Sequence, residues 1–173
     1  MADFAVGIGS NLGDRMHNIQ EGVRFLLSRS MMGYFQLSGV YETPPLEDVE
    51  GGDFLNCAMT GSFFGSADDL LGNCREAEVL MGSSISKNGG SRTLDMDLLF
   101  FGETERNDDD LVLPHSRITS RKFVLKPLSE IWKEKVPVIG KTPMQLLRKC
   151  TDDSRIKKVH PMPPRGCFWE VPS

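Results

Sequence analysis

The stretch RTLDMDLLFFG (residues 92–102) has the pattern of a buried β-strand that ends in glycine, yet it carries two carboxylates. Residues i and i+2 of a strand point to the same face, so Asp95 and Asp97 project together and the apolar residues between them project to the other face. Two ionised carboxylates repel each other, and burying them without a partner costs on the order of several kcal/mol. A cation such as Mg²⁺, which takes oxygen ligands, would resolve this conflict. The alternative is a solvent-facing strand whose carboxylates pair with arginines.

The segments before this strand alternate between extended and helical patterns. The predicted elements are a strand at 3–9, a helix at 14–30, extended runs at 34–43 and 54–64, a helix at 66–82 and the strand at 92–102. Asp14 and Ser66 are suitable helix N-caps, and Gly82 is a suitable helix stop. The order β-α-β-β-α-β predicts a ferredoxin-like α+β fold, in which helices cover an antiparallel sheet. A short helix is expected near residues 142–150, and the tail from about Asp152 is expected to be loosely ordered.

Length and composition fit one domain over residues 1–173, because 39% hydrophobic and 25% charged residues are ordinary values. A net charge of −4 gives no basis for nucleic-acid or membrane binding, so a bound polyanion would need local positive charge and metal ions. The four cysteines form no C-x-x-C pair, which favours reduced thiols in the cytoplasm over zinc or disulfides. Neither a signal peptide nor a membrane-length apolar run, roughly 20 residues, is recognisable.

Several other side chains suit the binding of phosphate. Arg92 precedes the acidic strand, and Arg117 and Arg121 follow it; arginine makes bidentate contacts with phosphate. His115 is a possible phosphate donor, although a lone histidine is more often structural. The glycine-containing stretch GIGSNLG (residues 7–13) is similar to a phosphate-binding loop without matching G-x-G-x-x-G, and a tight strand-to-helix turn explains it equally well.

Two aromatic residues and an amide are candidates for holding a flat heterocycle. Phe54 and Phe123 offer stacking faces, and Asn56 offers hydrogen bonds. Taken by themselves, these residues are more typical of a hydrophobic core.

Five segments together resemble the 6-hydroxymethyl-7,8-dihydropterin pyrophosphokinase family of the folate pathway, over roughly residues 4–132. They are GIGSNLGDR, VYETPPL, DFLNCAM, SRTLDMDLLFFG and LPHSRITSRKFVLKPL, in this order. The resemblance implies a ferredoxin-like fold and the transfer of pyrophosphate from ATP to the hydroxymethyl group of the dihydropterin, with release of AMP. It also implies two Mg²⁺ ions and ATP as co-substrate. We further expect small-molecule partners, no nucleic acid or membrane, and a monomer.

The resemblance assigns roles to individual positions. The catalytic set that it implies is Arg92, Asp95, Asp97, His115 and Arg121, with Asp95 and Asp97 as metal ligands. The implied nucleotide-binding set adds Leu71, Arg75, Glu78 and Leu98 to Arg92, His115 and Arg121. Lys87 is a further nucleotide-binding candidate, as the one basic residue in the segment that precedes Arg92. The implied pterin-binding set is Thr43, Pro44, Leu46, Phe54, Asn56, Asp95 and Phe123.

The segment between the second helix and the acidic strand departs from the family pattern. The family carries arginines there that close over its substrates, whereas residues 83–91 contain serines, glycines and Lys87 as the one basic residue. Because an arginine that meets charge in the transition state strongly accelerates phosphoryl transfer, the alternative is a non-catalytic or very slow pterin- or nucleotide-binding homologue. A third alternative, an RNA-binding sheet, conflicts with the net negative charge.

Overall fold

The chain folds into a six-stranded antiparallel sheet with helices on both of its faces, together with a small two-stranded ribbon. The computed structural model describes residues 1–45, 52–83 and 92–169. The elements in chain order are β1 (Ala2–Ser10), α1 (Arg15–Ser28), β2 (Met32–Leu37), β3 (Val40–Thr43), β4 (Phe54–Phe63), α2 (Ala67–Leu80), β5 (Asp95–Phe101), β6 (Arg106–Asn107), β7 (Val112–Leu113), α3 (Lys122–Ile131), α4 (Pro143–Lys149) and β8 (Lys157–His160). No helix within these ranges is both long and apolar enough to cross a bilayer.

The strand order of the large sheet is β5–β1–β4–β3–β8, with β2 also paired to β4. The first part of the chain thus runs β1, α1, β2 with β3, β4, α2 and β5, and both helices cross between strands of one antiparallel sheet. This arrangement confirms the predicted ferredoxin-like α+β fold.

The extended run predicted over residues 34–43 is two strands, because Ser38 interrupts it. The Ser38 backbone N–H donates to the Ala58 carbonyl at 2.9 Å, whereas the Ala58 N–H donates to the Ser38 side-chain Oγ at 2.8 Å. The Ser38 hydroxyl therefore takes the place of the backbone carbonyl that would accept from Ala58 in a regular strand pair. The next residue, Gly39, donates its N–H to the Glu130 carboxylate at 2.7 Å instead of to a strand.

The predicted helix caps are confirmed, and strand β5 begins later than predicted. Asp14 accepts from the backbone N–H of His17 at 3.1 Å, and Ser66 forms a capping box with Asp69. β5 begins at Asp95 rather than at residue 92, because the preceding backbone N–H groups donate to side chains instead of to a neighbouring strand. The Leu94 N–H donates to Ser83 Oγ at 2.8 Å, and the Arg92 N–H donates to Asn11 Oδ1 at 2.7 Å.

The two faces of the sheet are covered to different extents. One face packs on α1 and α2 through a core that includes Val6, Ile8, Cys57 and Met59. The other packs on α3 and α4 through a smaller core that includes Ala5, Ala58, Leu99 and Phe100. The strand ends of this second face, around Asp95 and Asp97, remain partly exposed.

Helix α3 is not among the elements predicted from the sequence, since Pro127 lies inside it. Its apolar residues follow helical spacing and are buried on the sheet, which compensates for the backbone hydrogen bond that proline lacks. They are Val124, Leu125, Leu128 and Ile131.

The prediction of a loosely ordered tail from about Asp152 is wrong for most of that segment. Strand β8 pairs antiparallel with β3, and Lys158 forms an ion pair with Glu130 of α3. Trp169 is buried, and its indole Nε1 donates to the Ser38 carbonyl at 2.8 Å. The tail is ordered because it completes the sheet edge and supplies a donor at the irregular junction between β2 and β3.

We expect Trp169→Phe to lower the free energy of unfolding by about 1–2 kcal/mol, because the buried Ser38 carbonyl loses this donor. Urea denaturation followed by far-UV circular dichroism measures the change. Trp132→Phe is the matched control, since its Nε1 donates at 3.3 Å to the Lys135 carbonyl in an exposed position. An equal effect in both variants would contradict the role assigned to the Trp169 hydrogen bond.

Candidate active site

The strand register places the two aspartates beside two glycines and an asparagine on one face of the sheet. Asp95 pairs with Gly9 of β1, which pairs in turn with Asn56 of β4, and Asp97 pairs with Gly7. Directly paired residues of an antiparallel sheet share a face. A Cβ on Gly9 would come within 3.1 Å of Asn56 Oδ1. The two glycines therefore leave β1 without side chains between the carboxylates and Asn56.

The aspartates lie in surroundings that disfavour their ionisation. The exposed fraction of the side chain is 31% for Asp95 and 37% for Asp97. Burial and repulsion from Asp97 raise the pKa of Asp95, although Arg92 Nη1 lies 2.6 Å from Asp95 Oδ1 and offsets part of this shift. Burial also raises the pKa of Asp97, against the longer-range influence of Arg121, Arg92 and Arg117. A divalent cation between the carboxylates would recover the free energy lost to desolvation and repulsion.

The donor set at this position fits magnesium better than zinc. Among the residues described, no three or more His, Cys, Asp or Glu side chains gather into a metal-binding group. Mg²⁺ is typically held by one or two carboxylates, with water and substrate phosphates as its other ligands. Zn²⁺ sites usually contain three or four protein ligands, mainly histidine and cysteine. Asp95 and Asp97 alone therefore match an ion that reaches the site together with a phosphate chain.

His115 lies at the other end of the aspartate pair and is oriented by its own backbone. Its N–H donates to the Leu99 carbonyl of β5 at 2.8 Å, and its Nε2 is 4.0 Å from Asp97 Oδ1. The Arg117 N–H donates to His115 Nδ1 at 3.1 Å, so the neutral imidazole carries its proton on Nε2. Burial, Arg121 and Arg117 lower the pKa of His115, which favours this neutral form. The Nε2–H is therefore available as a hydrogen-bond donor.

Arg121 is the N-cap residue of α3 and lies near both carboxylates and an aromatic ring. The carboxylates of Asp97 and Asp95 act on its pKa, which is lowered overall by burial and by Arg117. Its guanidinium carbon is 5.3 Å from the centre of the Phe123 ring. The structure thus brings Arg92, His115 and Arg121 close to the aspartate pair. Their catalytic roles stay predictions.

The predicted nucleotide residues of α2 and β5 lie in three different surroundings. Glu78 Oε1 accepts from the Met96 N–H of edge strand β5 at 2.7 Å, and burial together with the negative charges of Asp95 and Asp97 raises its pKa to about 7. Arg75 is exposed and donates to the Asp110 carbonyl at 3.1 Å. The side chains of Leu71 and Leu98 belong to the core under α1 and α2, on the face opposite the aspartates.

Two of the predicted pterin residues that the structure describes form a buried hydrogen-bonded pair. Asn56 Nδ2 donates to Thr43 Oγ1 at 2.8 Å, and both side chains are buried. Phe54 pairs with Thr43 in the ladder between β3 and β4, and Pro44 follows at the surface. Phe123, in the first turn of α3, is partly buried. Leu46 and Lys87 lie outside the described residues, and their roles stay predictions.

Two supporting residues were not identified from the sequence. Asn11 accepts from the Arg92 N–H, and Ser83 Oγ contacts both the N–H and the carbonyl of Leu94. Both side chains fix the backbone that leads into Asp95. The one sequence feature that could have indicated Asn11 is its position among polar residues after the two glycines of β1. Its hydrogen-bond partner, Arg92, is too distant in the sequence to be inferred.

Glu78 generates a pH dependence of stability. Between its ordinary pKa near 4.5 and its folded pKa of about 7, the folded protein holds a proton that the unfolded chain has lost. The free energy of unfolding therefore falls as the pH rises through this window. We expect Glu78→Gln to reduce that fall, as measured by urea denaturation at pH 5 and pH 7 in EDTA. Glu76→Gln, an exposed change on the same helix, is the control; identical pH dependence in wild type and Glu78→Gln would refute the assignment.

Comparison with known proteins identifies a single family. The sequence profile described as 7,8-dihydro-6-hydroxymethylpterin-pyrophosphokinase (HPPK) matches residues 5–133. A 2-amino-4-hydroxy-6-hydroxymethyldihydropteridine pyrophosphokinase from Methylorubrum extorquens is 33% identical over 154 residues, covering 89% of this chain and 96% of the relative. The chain is also similar to the bifunctional protein FolKE of Lactococcus lactis, with 32% identity over 126 residues that cover 73% of the chain. It matches only 36% of FolKE's length, so it spans about a third of that relative.

Solved structures share the fold at low sequence identity. The HPPK-DHPS protein of Plasmodium falciparum, crystallised with SDX-DHP, superimposes with a TM-score of 0.63 at 15% identity, covering 86% of this chain and 43% of that one. An HPPK-DHPS in complex with substrates gives a TM-score of 0.66 at 12% identity, covering 86% and 45%. The profile match and the relative of nearly equal length lead to one conclusion: this chain belongs to the 7,8-dihydro-6-hydroxymethylpterin-pyrophosphokinase family.

Proposed function

We propose that this protein transfers the pyrophosphoryl group of ATP to the hydroxymethyl group of 6-hydroxymethyl-7,8-dihydropterin and releases AMP, as a step of folate synthesis. One observation carries the proposal: the paired carboxylates of Asp95 and Asp97 share a sheet face with the buried amide of Asn56, with only glycines between them. A metal–phosphate site and a polar pocket for a flat heterocycle are thereby adjacent. The names of relatives over most of the chain support the same chemistry.

Magnesium is the proposed metal, with two ions expected and Asp95 and Asp97 as the residues that hold them. When bound, Mg²⁺ would neutralise phosphate charge and make the β-phosphorus more electrophilic. The pKa values of both aspartates are raised, so ionising them in the metal-free protein costs free energy. A bound Mg²⁺ would stabilise the ionised carboxylates, which are too buried for water to solvate fully.

Three neighbours of the aspartates are the proposed contacts for the phosphate charge that the metal does not neutralise. Arg92 and Arg121 offer planar guanidinium groups for bidentate contact. His115 offers a neutral Nε2–H, which donates to phosphate without competing with the metal for the carboxylate of Asp97. Phosphoryl-type transfer needs mainly positioning and charge stabilisation, and these groups provide both. Lys87 remains a proposed further nucleotide contact.

Asn56 and Thr43 are the proposed polar contacts of the pterin. Since Asn56 Nδ2 already donates to Thr43 Oγ1, the amide is held in one orientation, with its Oδ1 facing the space above Gly9. Phe54 and Phe123, both partly exposed, offer the aromatic surfaces between which a flat ring stacks. Pro44 and Leu46 would complete the pocket.

The reaction is an in-line displacement at the β-phosphorus. The hydroxymethyl oxygen forms a bond to the β-phosphorus, the bond between that phosphorus and the bridging oxygen to the α-phosphate breaks, and AMP leaves with the electron pair. The hydroxyl proton passes to water or to a nearby carboxylate. Holding the two substrates in reaction geometry supplies much of the rate acceleration.

We also propose that the protein acts as a monomer in the cytoplasm. Its four cysteines are free thiols, and two of them, Cys57 and Cys74, are buried in the core. Burial raises the pKa of both thiols, which keeps them protonated and unreactive.

The first experiment incubates the purified protein with Mg²⁺, ATP and 6-hydroxymethyl-7,8-dihydropterin and separates the nucleotides. AMP that forms only with the pterin present is the expected result. Formation of ADP would assign ordinary kinase chemistry instead. Pterin binding without any nucleotide product would favour the non-catalytic homologue and would point to residues 83–91 as the reason.

We expect Asp97→Asn to lower kcat/KM at least about 100-fold, because the change removes a metal ligand while preserving shape. In the absence of metal the variant should be at least as stable as wild type, since a repelling charge is gone, and its Tm should respond less to added Mg²⁺. Asp109→Asn, in the exposed turn after β6, is the control for both measurements. Near-normal turnover in Asp97→Asn would exclude the proposed metal role.

A further inference from the structure

We propose that the turn between β1 and α1 (residues 10–15, the β1–α1 turn) positions both substrate subsites, with Asn11 acting on the nucleotide side and Arg15 on the pterin side. The proposal rests on the proposed function for the identity of the two subsites. The turn, counted with the last residue of β1 and the first of α1, overlaps the glycine-containing stretch (residues 7–13) that is similar to a phosphate-binding loop. In the structure its polar side chains instead bind protein segments that lead into the two subsites.

Asn11 fixes the segment that carries Arg92. The Asn11 N–H donates to the Arg92 carbonyl at 3.0 Å, and the Arg92 N–H donates to Asn11 Oδ1 at 2.7 Å. The asparagine is 4% exposed, so water competes little for these bonds. Asn11 thus binds both the N–H and the carbonyl of Arg92, and the Arg92 guanidinium donates to Asp95 Oδ1 at 2.6 Å. In this proposal Asn11 acts through Arg92, as a positioning residue.

Arg15 fixes the segments that carry Thr43 and Phe54. Its Nη1 donates to the Asp53 carbonyl at 2.6 Å, and its Nη2 lies 3.0 Å from Glu42 Oε2. Asp53 and Glu42 directly precede Phe54 and Thr43. Successive strand residues point to opposite faces, so a bond to Glu42 on the α1 side sets the backbone from which Thr43 projects toward the pterin pocket.

The turn is also bonded internally and to the start of α1. Gly13 adopts a φ of +64°, which few other residues tolerate, and Asp14 caps α1. Asn18 Nδ2 donates to the Leu12 carbonyl at 2.9 Å and to Ser10 Oγ at 3.3 Å. Because β1 lies between β5 and β4, a turn at its end reaches the lead-in of β5 on one side and the ends of β3 and β4 on the other.

Two substitutions separate this role from simple support of the fold. Binding is measured by calorimetry with two probes: α,β-methylene-ATP with Mg²⁺, and 6-hydroxymethylpterin. We expect Asn11→Ala to raise the Kd of the nucleotide probe about 10-fold and to leave the Kd of the pterin probe within about 2-fold, as for residues that orient a ligand-binding group. We expect Arg15→Met to produce the opposite pattern.

Each variant has a matched control. Asn73 on α2 is partly buried and resembles Asn11 in one respect: both have a buried Nδ2 without a hydrogen-bond partner in the described part of the chain. Asn73→Ala therefore tests the loss of such an asparagine elsewhere. Arg24→Met removes a second arginine of α1, whose ion pair with Glu21 lies within that helix. Both controls should bind both probes as wild type does. If Asn11→Ala or Arg15→Met does not fold, Asn11→Ser or Arg15→Gln takes its place.

The outcomes distinguish this inference from the proposed function. Selective weakening of one probe by each variant supports the positioning role. Equal weakening of both probes by either variant, or no change, overturns it. Formation of AMP by the wild type is scored separately: wild type that binds both probes without turnover overturns the proposed function, while the binding constants still decide the role of the turn.

Discussion

Repulsion between two carboxylates on one face of an edge strand is the constraint around which this site is organised. Burial disfavours the ionisation of both Asp95 and Asp97. In the described part of the chain Asp95 forms an ion pair with Arg92, whereas the imidazole Nε2 of His115 lies 4.0 Å from Asp97 Oδ1. Full neutralisation by protein groups would leave no free energy to gain from a cation. The incomplete pairing among the described residues supports the proposal that Asp95 and Asp97 bind a metal that arrives with the substrate.

This arrangement requires a sheet face that is only half covered. Helices α1 and α2 bury one face completely enough to form the main core, whereas α3 and α4 cover only part of the other. A register shift between Ala5 and Val6 separates two stretches of β1. Ala5 packs into the smaller core, while Gly7 and Gly9 lie beside the aspartates. The same strand thus serves as core at one end and as the base of the site at the other.

The fold class and the shared strand face of Asp95 and Asp97 could be predicted from the sequence, because both depend on local patterns. Alternation along β5 placed Asp95 and Asp97 on one face, and the caps Asp14 and Ser66 marked where helices begin. Helix α3 escaped prediction because Pro127 argues locally against a helix that only tertiary burial makes stable. The tail escaped because its order depends on partners more than 100 residues away, as the bond from Trp169 to Ser38 shows. Contacts between distant segments leave no local pattern to recognise.

The distribution of charge along the chain shows how a protein of net charge −4 can still carry local positive charge. Residues 1–114 contain 7 Lys and Arg against 19 Asp and Glu, whereas residues 115–173 contain 13 against 5. The carboxylates of the site come from the first stretch, and Arg117 and Arg121 come from the second. Packing α3 against the sheet brings its arginine-bearing N-terminal end to the acidic end of β5. The local charge at this position is therefore set by how the fold packs α3 against β5. The net charge alone predicts only that binding of a polyanion would need local positive charge of this kind or a metal ion.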